Sequence, residues 1–225
     1  MYVRFEVWPF LIVALVLAGL LWAGLRAAKV SKQTSFRAGV LLLLVLGGYL
    51  MYFFRDPARQ TPLDPDAIVA GADGTVMNVV PCDEPLFLQT NSVRISIFLS
   101  LFDVHVNRAP LDGTVTFARY YPGKRYFTFQ EKSSFYNQHS SLLFTNSQTR
   151  CLVQQIVGPV ARRVVFWVTP GDSVRKGDPI GMMKFGSRLD VYLPAGDVRV
   201  LAKRGDKVRA GETIIARLRT DKLKP

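Results

Sequence analysis

The chain holds only two imidazoles, His105 and His139. Proton transfer by a ring nitrogen near neutral pH therefore falls to one of them. Two histidines are too few for a histidine-rich metal site, and no metal is expected. His105 sits in Asp103-Val-His-Val-Asn107. Read as a strand, this segment puts Asp103, His105 and Asn107 on one face, a pattern that suits a site lining better than a lone core histidine. Ser187 follows Gly186. Its hydroxyl is a weak nucleophile that needs a neighbouring base, and a Gly-Ser pair taken alone is an ordinary turn. Asp73, in Ala72-Asp-Gly-Thr-Val76, could orient a histidine. It could equally just open an Asp-Gly turn, as Asp112 does in the twin segment Leu111-Asp-Gly-Thr-Val115. Arg108 and Arg188 could hold a phosphate or carboxylate, or be solvated charges.

The elements that must position these residues fall into two classes. Trp8–Leu25 and Ala38–Phe54 are uncharged apolar runs of 18 and 17 residues. As helices they would each span roughly 25–27 Å, close to the hydrocarbon thickness of a bilayer. Basic residues Arg26, Lys29, Lys32 and Arg37 join them, and aromatics flank the outer ends. Residues 1–55 therefore read as a two-helix membrane anchor. A cleaved signal peptide fits poorly, because a second hydrophobic run follows the first. Residues 56–66 carry three prolines and read as a linker.

From residue 67 onward the chain consists of short alternating runs punctuated by Gly, Pro, Asn and Asp, such as 76–80, 93–98, 115–117, 127–129, 142–145, 152–157 and 164–168. This predicts a mainly β domain. The stretch 96–106 fits helix or strand. Gly171-Asp-Ser-Val-Arg-Lys-Gly-Asp-Pro-Ile180 returns as Gly205-Asp-Lys-Val-Arg-Ala-Gly-Glu-Thr-Ile214. Paired hairpins of this kind are similar to the flattened β-sandwich of biotinyl and lipoyl carrier domains.

Net charge is +12, and residues 56–225 hold 23 Lys and Arg against 16 Asp and Glu. Such a surface favours anionic partners. No zinc-finger, helix-turn-helix or RNA-binding pattern is present, so with the anchor in view the partner is read as acidic lipid and not nucleic acid. Cys82 and Cys151 form no CxxC pair or disulfide framework.

Three segments occur in fixed order: Ala70-Gly-Ala-Asp-Gly-Thr-Val76, Phe98 to Pro110 around Asp-Val-His, and Lys184-Phe-Gly-Ser-Arg-Leu-Asp-Val-Tyr-Leu-Pro194. With Phe54-Arg-Asp-Pro57, they resemble the phosphatidylserine decarboxylase family in its short prokaryotic form. The resemblance runs from about Arg55 to the carboxyl end. It implies a proenzyme that breaks its own Gly186–Ser187 bond, giving a β chain 1–186 and an α chain 187–225. Ser187 would become a covalent pyruvoyl group, the cofactor, which takes the serine amine of the lipid as a Schiff base and accepts electrons as CO₂ leaves. The product would be phosphatidylethanolamine; an ether-linked archaeal serine lipid presents the same headgroup. In the family an Asp-His-Ser set does the processing, which points here to Asp73, His105 and Ser187. Longer members carry H-x-x-H where this chain has His105 and Arg108, so His139 stays open as an alternative base. Arg108, Arg188 and His139 are candidate substrate contacts. The resemblance also implies self-association. The basic link between the helices would put the catalytic domain outside under the positive-inside rule, whereas serine phospholipids are made on the cytoplasmic side, which favours a cytoplasm-facing domain; a hairpin dipping into one leaflet is a third arrangement. The rival reading is a carrier module with Lys184 as its modification site.

Overall fold

The structure is a computed structural model that describes residues 2–124, 126–128, 136–158, 164–184 and 186–219. It forms two compact units, Met1–Pro57 and Ala58–Pro225.

The first unit is a helical hairpin. Pro9 stands in the opening turn of α1 (Trp8–Ala27), where its missing N–H costs nothing. The helix α2 (Lys32–Phe53) starts six residues before the apolar run does. Ser31 sets that start: its Oγ accepts the Thr34 N–H at 3.1 Å. Hydropathy marks the greasy stretch of a helix, and the cap marks its beginning. At the crossing, a Cβ on Gly39 would stand 3.2 Å from the Ala18 carbonyl oxygen. Strands β1 (Tyr2–Val3) and β2 (Arg55–Asp56) pair antiparallel and tie the two ends together, and Arg4 pairs with Asp56. Ile12, Leu15, Leu20, Phe36, Leu41 and Leu44 point outward and are exposed. Both helices are long and apolar enough to cross a membrane.

The second unit is mainly β. Its strands are β3 (Ala67–Val69), β4 (Gly74–Glu84), β5 (Thr90–Leu99), β6 (Val106–Arg108), β7 (Gly113–Tyr121), β8 (His139–Thr145), β9 (Arg150–Val157), β10 (Val165–Phe166), β11 (Ser173–Val174), β12 (Pro179–Met182), β13 (Ser187–Pro194), β14 (Val198–Val200), β15 (Lys207–Val208) and β16 (Ile214–Leu218). A curled antiparallel sheet runs β11-β7-β8-β9-β13-β5-β4-β15. Two three-stranded sheets, β10-β12-β6 and β14-β16-β3, accompany it. Alternation assigns the faces. Ile95, Ile97, Leu99, Val153, Val157, Leu189, Val191 and Leu193 from the large sheet share one core with Ile68, Ile180 and Ile215 from the small sheets. On the other face, Leu88, Leu152 and Tyr192 form a smaller cluster.

The internal repeat is structural. Strand β15 pairs with the start of β4 (Val208↔Gly74), and β11 pairs with the start of β7 in the same way (Val174↔Gly113). Asp73 Oδ1 accepts the Ala210 N–H at 2.8 Å, and Asp112 Oδ1 accepts the Lys176 N–H at 2.8 Å. Asp206 and Asp172 cap their own turns through Lys203 N–H at 2.8 Å and Thr169 N–H at 2.7 Å. Two copies of one turn-and-hairpin unit thus frame the domain.

Some expectations change. Phe127 and Thr128 lie outside any strand, and Phe129 falls outside the described residues. Only Val165–Phe166 of the run 164–168 is strand, as β10. The ambiguous stretch 96–106 resolves as the end of β5, then a turn. Asp103 Oδ2 accepts Ser100 N–H and Oγ–H, both at 2.7 Å, so Asp103 closes that turn and does not share a strand face with His105. Within the linker, Gln60 N–H donates to Glu212 Oε1 at 3.0 Å.

Candidate active site

Ser187 opens β13, the strand held between β5 and β9, where it stands opposite Leu99 and Val157. It is fully buried, and its Oγ has no hydrogen-bond partner among the described residues. A buried hydroxyl left unpaired costs about 1–3 kcal/mol, so it calls for an explanation. Gly186, just before it, has φ +73, and a Cβ there would meet nothing within 4 Å. The backbone leaves the ladder at this residue in a left-handed conformation that suits glycine. The Gly186 carbonyl oxygen accepts the Gly158 N–H at 3.2 Å.

His105 is reached by following two connections that run side by side. One leads from Leu99, opposite Ser187, through the Asp103 turn to His105. The other leaves β12 at Met183. Met183 N–H donates to the His105 carbonyl at 3.2 Å, which ties them together. The imidazole is fully buried, and its Nδ1 lies 3.0 Å from the Asp103 carbonyl oxygen. A carbonyl only accepts, so the neutral ring carries its proton on Nδ1 and leaves Nε2 as the basic nitrogen.

A chain of buried side chains lies on the same face of the large sheet as Ser187. Ser140 Oγ donates to Gln155 Oε1 at 2.6 Å, and Gln155 Nε2 donates to Asn107 Oδ1 at 2.7 Å. Gln155 is opposite Leu189, two residues beyond Ser187. The chain ends on Asn107 Nδ2, which is buried and has no partner among the described residues.

The remaining candidates have other partners. Asp73 uses one carboxylate oxygen on Ala210 and the other on Arg59 Nη2 at 2.9 Å, and it makes no hydrogen bond to His105. Arg108 Nη1 donates to the Gly177 carbonyl at 2.8 Å, inside one of the repeated hairpins. Arg188 is fully buried and forms an ion pair with Asp190 at 2.9 Å. Both project from the face of β13 opposite to Ser187. His139 stacks on Tyr121 with ring centroids 5.1 Å apart, and its Nδ1 meets the Asn137 carbonyl at 2.8 Å. By register His139 shares a row with Ile156 and Arg188, again on the face away from Ser187. The Met183 bond ties His105 to the segment that leads into the Gly186–Ser187 junction. By register Asp73, just before β4, lies at the same end of the sheet, two strands from Ser187, with its carboxylate engaged by Ala210 and Arg59.

Gly158, Gln155 and Ser140 were not legible as site residues. Gln155 gives a weak signal, a polar residue in the apolar run 152–157. Gly158 gives none, because its contribution is a backbone N–H.

The sequence profile of the family described as phosphatidylserine decarboxylase matches residues 46–216. The chain belongs to the phosphatidylserine decarboxylase family. It is 43% identical over 179 residues to a phosphatidylserine decarboxylase proenzyme of Carboxydothermus hydrogenoformans, covering 80% of this chain and 84% of that one. The proenzyme of Desulfotalea psychrophila is 40% identical over 190 residues, with 84% and 88% covered. That of Chlorobium chlorochromatii is 46% identical over 169 residues, with 75% and 79% covered. Members of this family are carboxy-lyases. The match includes the Asp-Val-His and Gly-Ser segments, which a biotinyl or lipoyl carrier has no use for, so the carrier reading is set aside.

Proposed function

We propose that this chain is a self-cleaving decarboxylase that converts phosphatidylserine to phosphatidylethanolamine, using a pyruvoyl group formed from Ser187. The observation that carries this reading is the Gly186–Ser187 junction. A buried hydroxyl without a partner among the described residues follows a carbonyl with no Cβ beside it, at the first residue of a strand fixed on both sides. The relatives' names, phosphatidylserine decarboxylase proenzyme, supply the substrate and the precursor state.

The residues present fit such a group. When formed, it supplies a ketone that takes up the substrate amine and an electron sink as CO₂ departs. The chain's own residues handle protons and position. His105, with Nε2 as its basic nitrogen, takes the Ser187 Oγ proton as the hydroxyl attacks the Gly186 carbonyl. After processing it returns a proton to the substrate carbon that has lost CO₂. Burial at the sheet end keeps water from competing for that carbon. Asp73 holds the turn on which this end is built, through the Ala210 N–H and Arg59. The two apolar helices anchor the protein in the cell membrane, where its anionic lipid substrate resides, with the catalytic unit on the cytoplasmic side. The β and α chains of one precursor stay associated, and the anchored precursors self-associate.

Denaturing mass spectrometry tests the reading directly. Wild-type protein is expected as two pieces, residues 1–186 and 187–225, the smaller with a blocked amino end that reacts with carbonyl reagents. Ser187→Ala is expected as one unbroken, inactive chain. A single unreactive wild-type chain, or a cleaved Ser187→Ala product, would defeat the proposal.

A further inference from the structure

The structure points to the backbone N–H of Gly158 as the group that stabilises the oxyanion formed on Gly186 during self-cleavage, and we propose this role for it. The inference rests on the self-cleavage reading above and adds a catalytic donor to it.

Attack by Ser187 Oγ forms a bond to the Gly186 carbonyl carbon and moves a pair of electrons onto its oxygen. That oxygen already accepts the Gly158 N–H at 3.2 Å. The tetrahedral centre collapses by breaking the Gly186–Ser187 C–N bond, and the nitrogen takes the proton delivered from Oγ. The ester that results keeps the same oxygen on Gly186. His105, neutral again once the nitrogen is protonated, takes the Ser187 α-proton; Cβ–Oγ breaks and releases Gly186 as a carboxylate, so one donor faces negative charge in both steps.

The donor is held in place. Val157, just before Gly158, gives its N–H to the Gln138 carbonyl at 3.3 Å and receives Asn137 Nδ2 on its own carbonyl at 2.9 Å. Asn137 also clamps residue 126 through two hydrogen bonds, at 2.8 and 2.7 Å. An N–H fixed before the reaction needs no reorganisation when charge appears. The absence of a side chain matters here: a Cβ on Gly158 would lie 3.1 Å from the Gly186 oxygen and 3.5 Å from Thr128 Cγ2. Any larger residue pushes donor and acceptor apart. A last rung of the β9–β13 ladder would explain the contact alone. It would not make the cleavage rate depend on that contact.

The test is the processing rate of Gly158→Ala, followed as conversion of one chain to two in a synchronised cell-free synthesis. Removing one oxyanion donor costs about 10²–10³ in rate, so a displaced one is expected to slow processing about tenfold or more. Thermal melting of Gly158→Ala on a Ser187→Ala background should stay within a few degrees of Ser187→Ala alone. A second measurement needs no change at Gly158. In the uncleavable Ser187→Ala precursor, a through-hydrogen-bond NMR coupling between Gly158 ¹⁵N and Gly186 ¹³C is expected. Folded Gly158→Ala that processes at the wild-type rate, or no coupling in the precursor, overturns the donor assignment and leaves self-cleavage standing. An unbroken wild-type chain overturns self-cleavage itself.

Discussion

The duplicated turns and the end of the sheet around Ser187 treat polar atoms differently. In the frame, Asp73 and Asp112 hold equivalent backbone amides, and Asp206 and Asp172 cap equivalent turns. Each carboxylate has an N–H to accept. At the sheet end, Ser187 Oγ and Asn107 Nδ2 are buried without partners among the described residues, and Gly186 leaves the ladder at positive φ. Positive-φ glycines occur in both regions, at Gly171, Gly177, Gly205 and Gly211 as well as Gly186, so the difference lies in the side chains: the turn carboxylates are satisfied and the Ser187 hydroxyl is not. Violations of this kind concentrate at functional sites, where they are tolerated for what they do.

Changes at the sheet end should alter processing more than stability, and changes in the frame should do the reverse. The largest effect is expected from His105→Gln. Loss of a general base or acid costs about 10²–10⁴ in rate, so processing should fall by that factor while the melting temperature moves little. Normal processing in this variant would hand the base role to another group.

Next comes Asp73→Ala against Asp112→Ala. Each loses a charge-assisted bond to a backbone amide, worth about 1.5–3 kcal/mol. Asp73→Ala also removes the nearer of the two carboxylates on Arg59, leaving only Glu212 at 3.9 Å; the Arg59 side chain is only 6% exposed, and the Asp73 side chain 14%. It should therefore melt lower than Asp112→Ala, with about 2–4 °C lost per kcal/mol for a chain of this size. If Asp73 belongs only to the frame, both precursors should still process once folded. Arrested processing in a well-folded Asp73→Ala, with Asp112→Ala intact, would instead assign Asp73 to the cleavage machinery.

The smallest effect is expected from Arg108→Lys. Lysine cannot reproduce the guanidinium contact to the Gly177 carbonyl, so stability should drop by about 1 kcal/mol with KM for the lipid unchanged. A raised KM with an unchanged melting temperature would move Arg108 from the frame to the substrate.

Much of this was readable from the sequence because it follows from periodicity. The two apolar runs mark the helices, and alternating runs mark β4, β5, β8 and β9. The repeated Gly-Asp-x-Val segments mark paired turns. The reading of Ser187 and His105 as one site came through family resemblance, since nothing in spacing alone links positions 105 and 187. What stayed hidden depends on partners far apart in the chain. Asp73 has neighbours at Arg59 and Ala210 that no local pattern announces. Arg188 and Asp190 are two residues apart on one strand face, so their pairing was open to a reading by alternation. The donor at Gly158 lies in the backbone, and residue type cannot reveal it.

The position of β13 bears on the life of the mature protein. A break before Ser187 cuts the chain at the edge of a strand that sits in the middle of the large sheet, paired along its length with β5 and β9. The 39-residue fragment that follows (residues 187–225 of the 225) would be trapped by its ladders, not released. Heat or denaturant that frees it would turn reassembly into an encounter between two molecules, diluted and exposed to aggregation. Endurance would then be governed by how slowly the fold opens, and an opened molecule would seldom return.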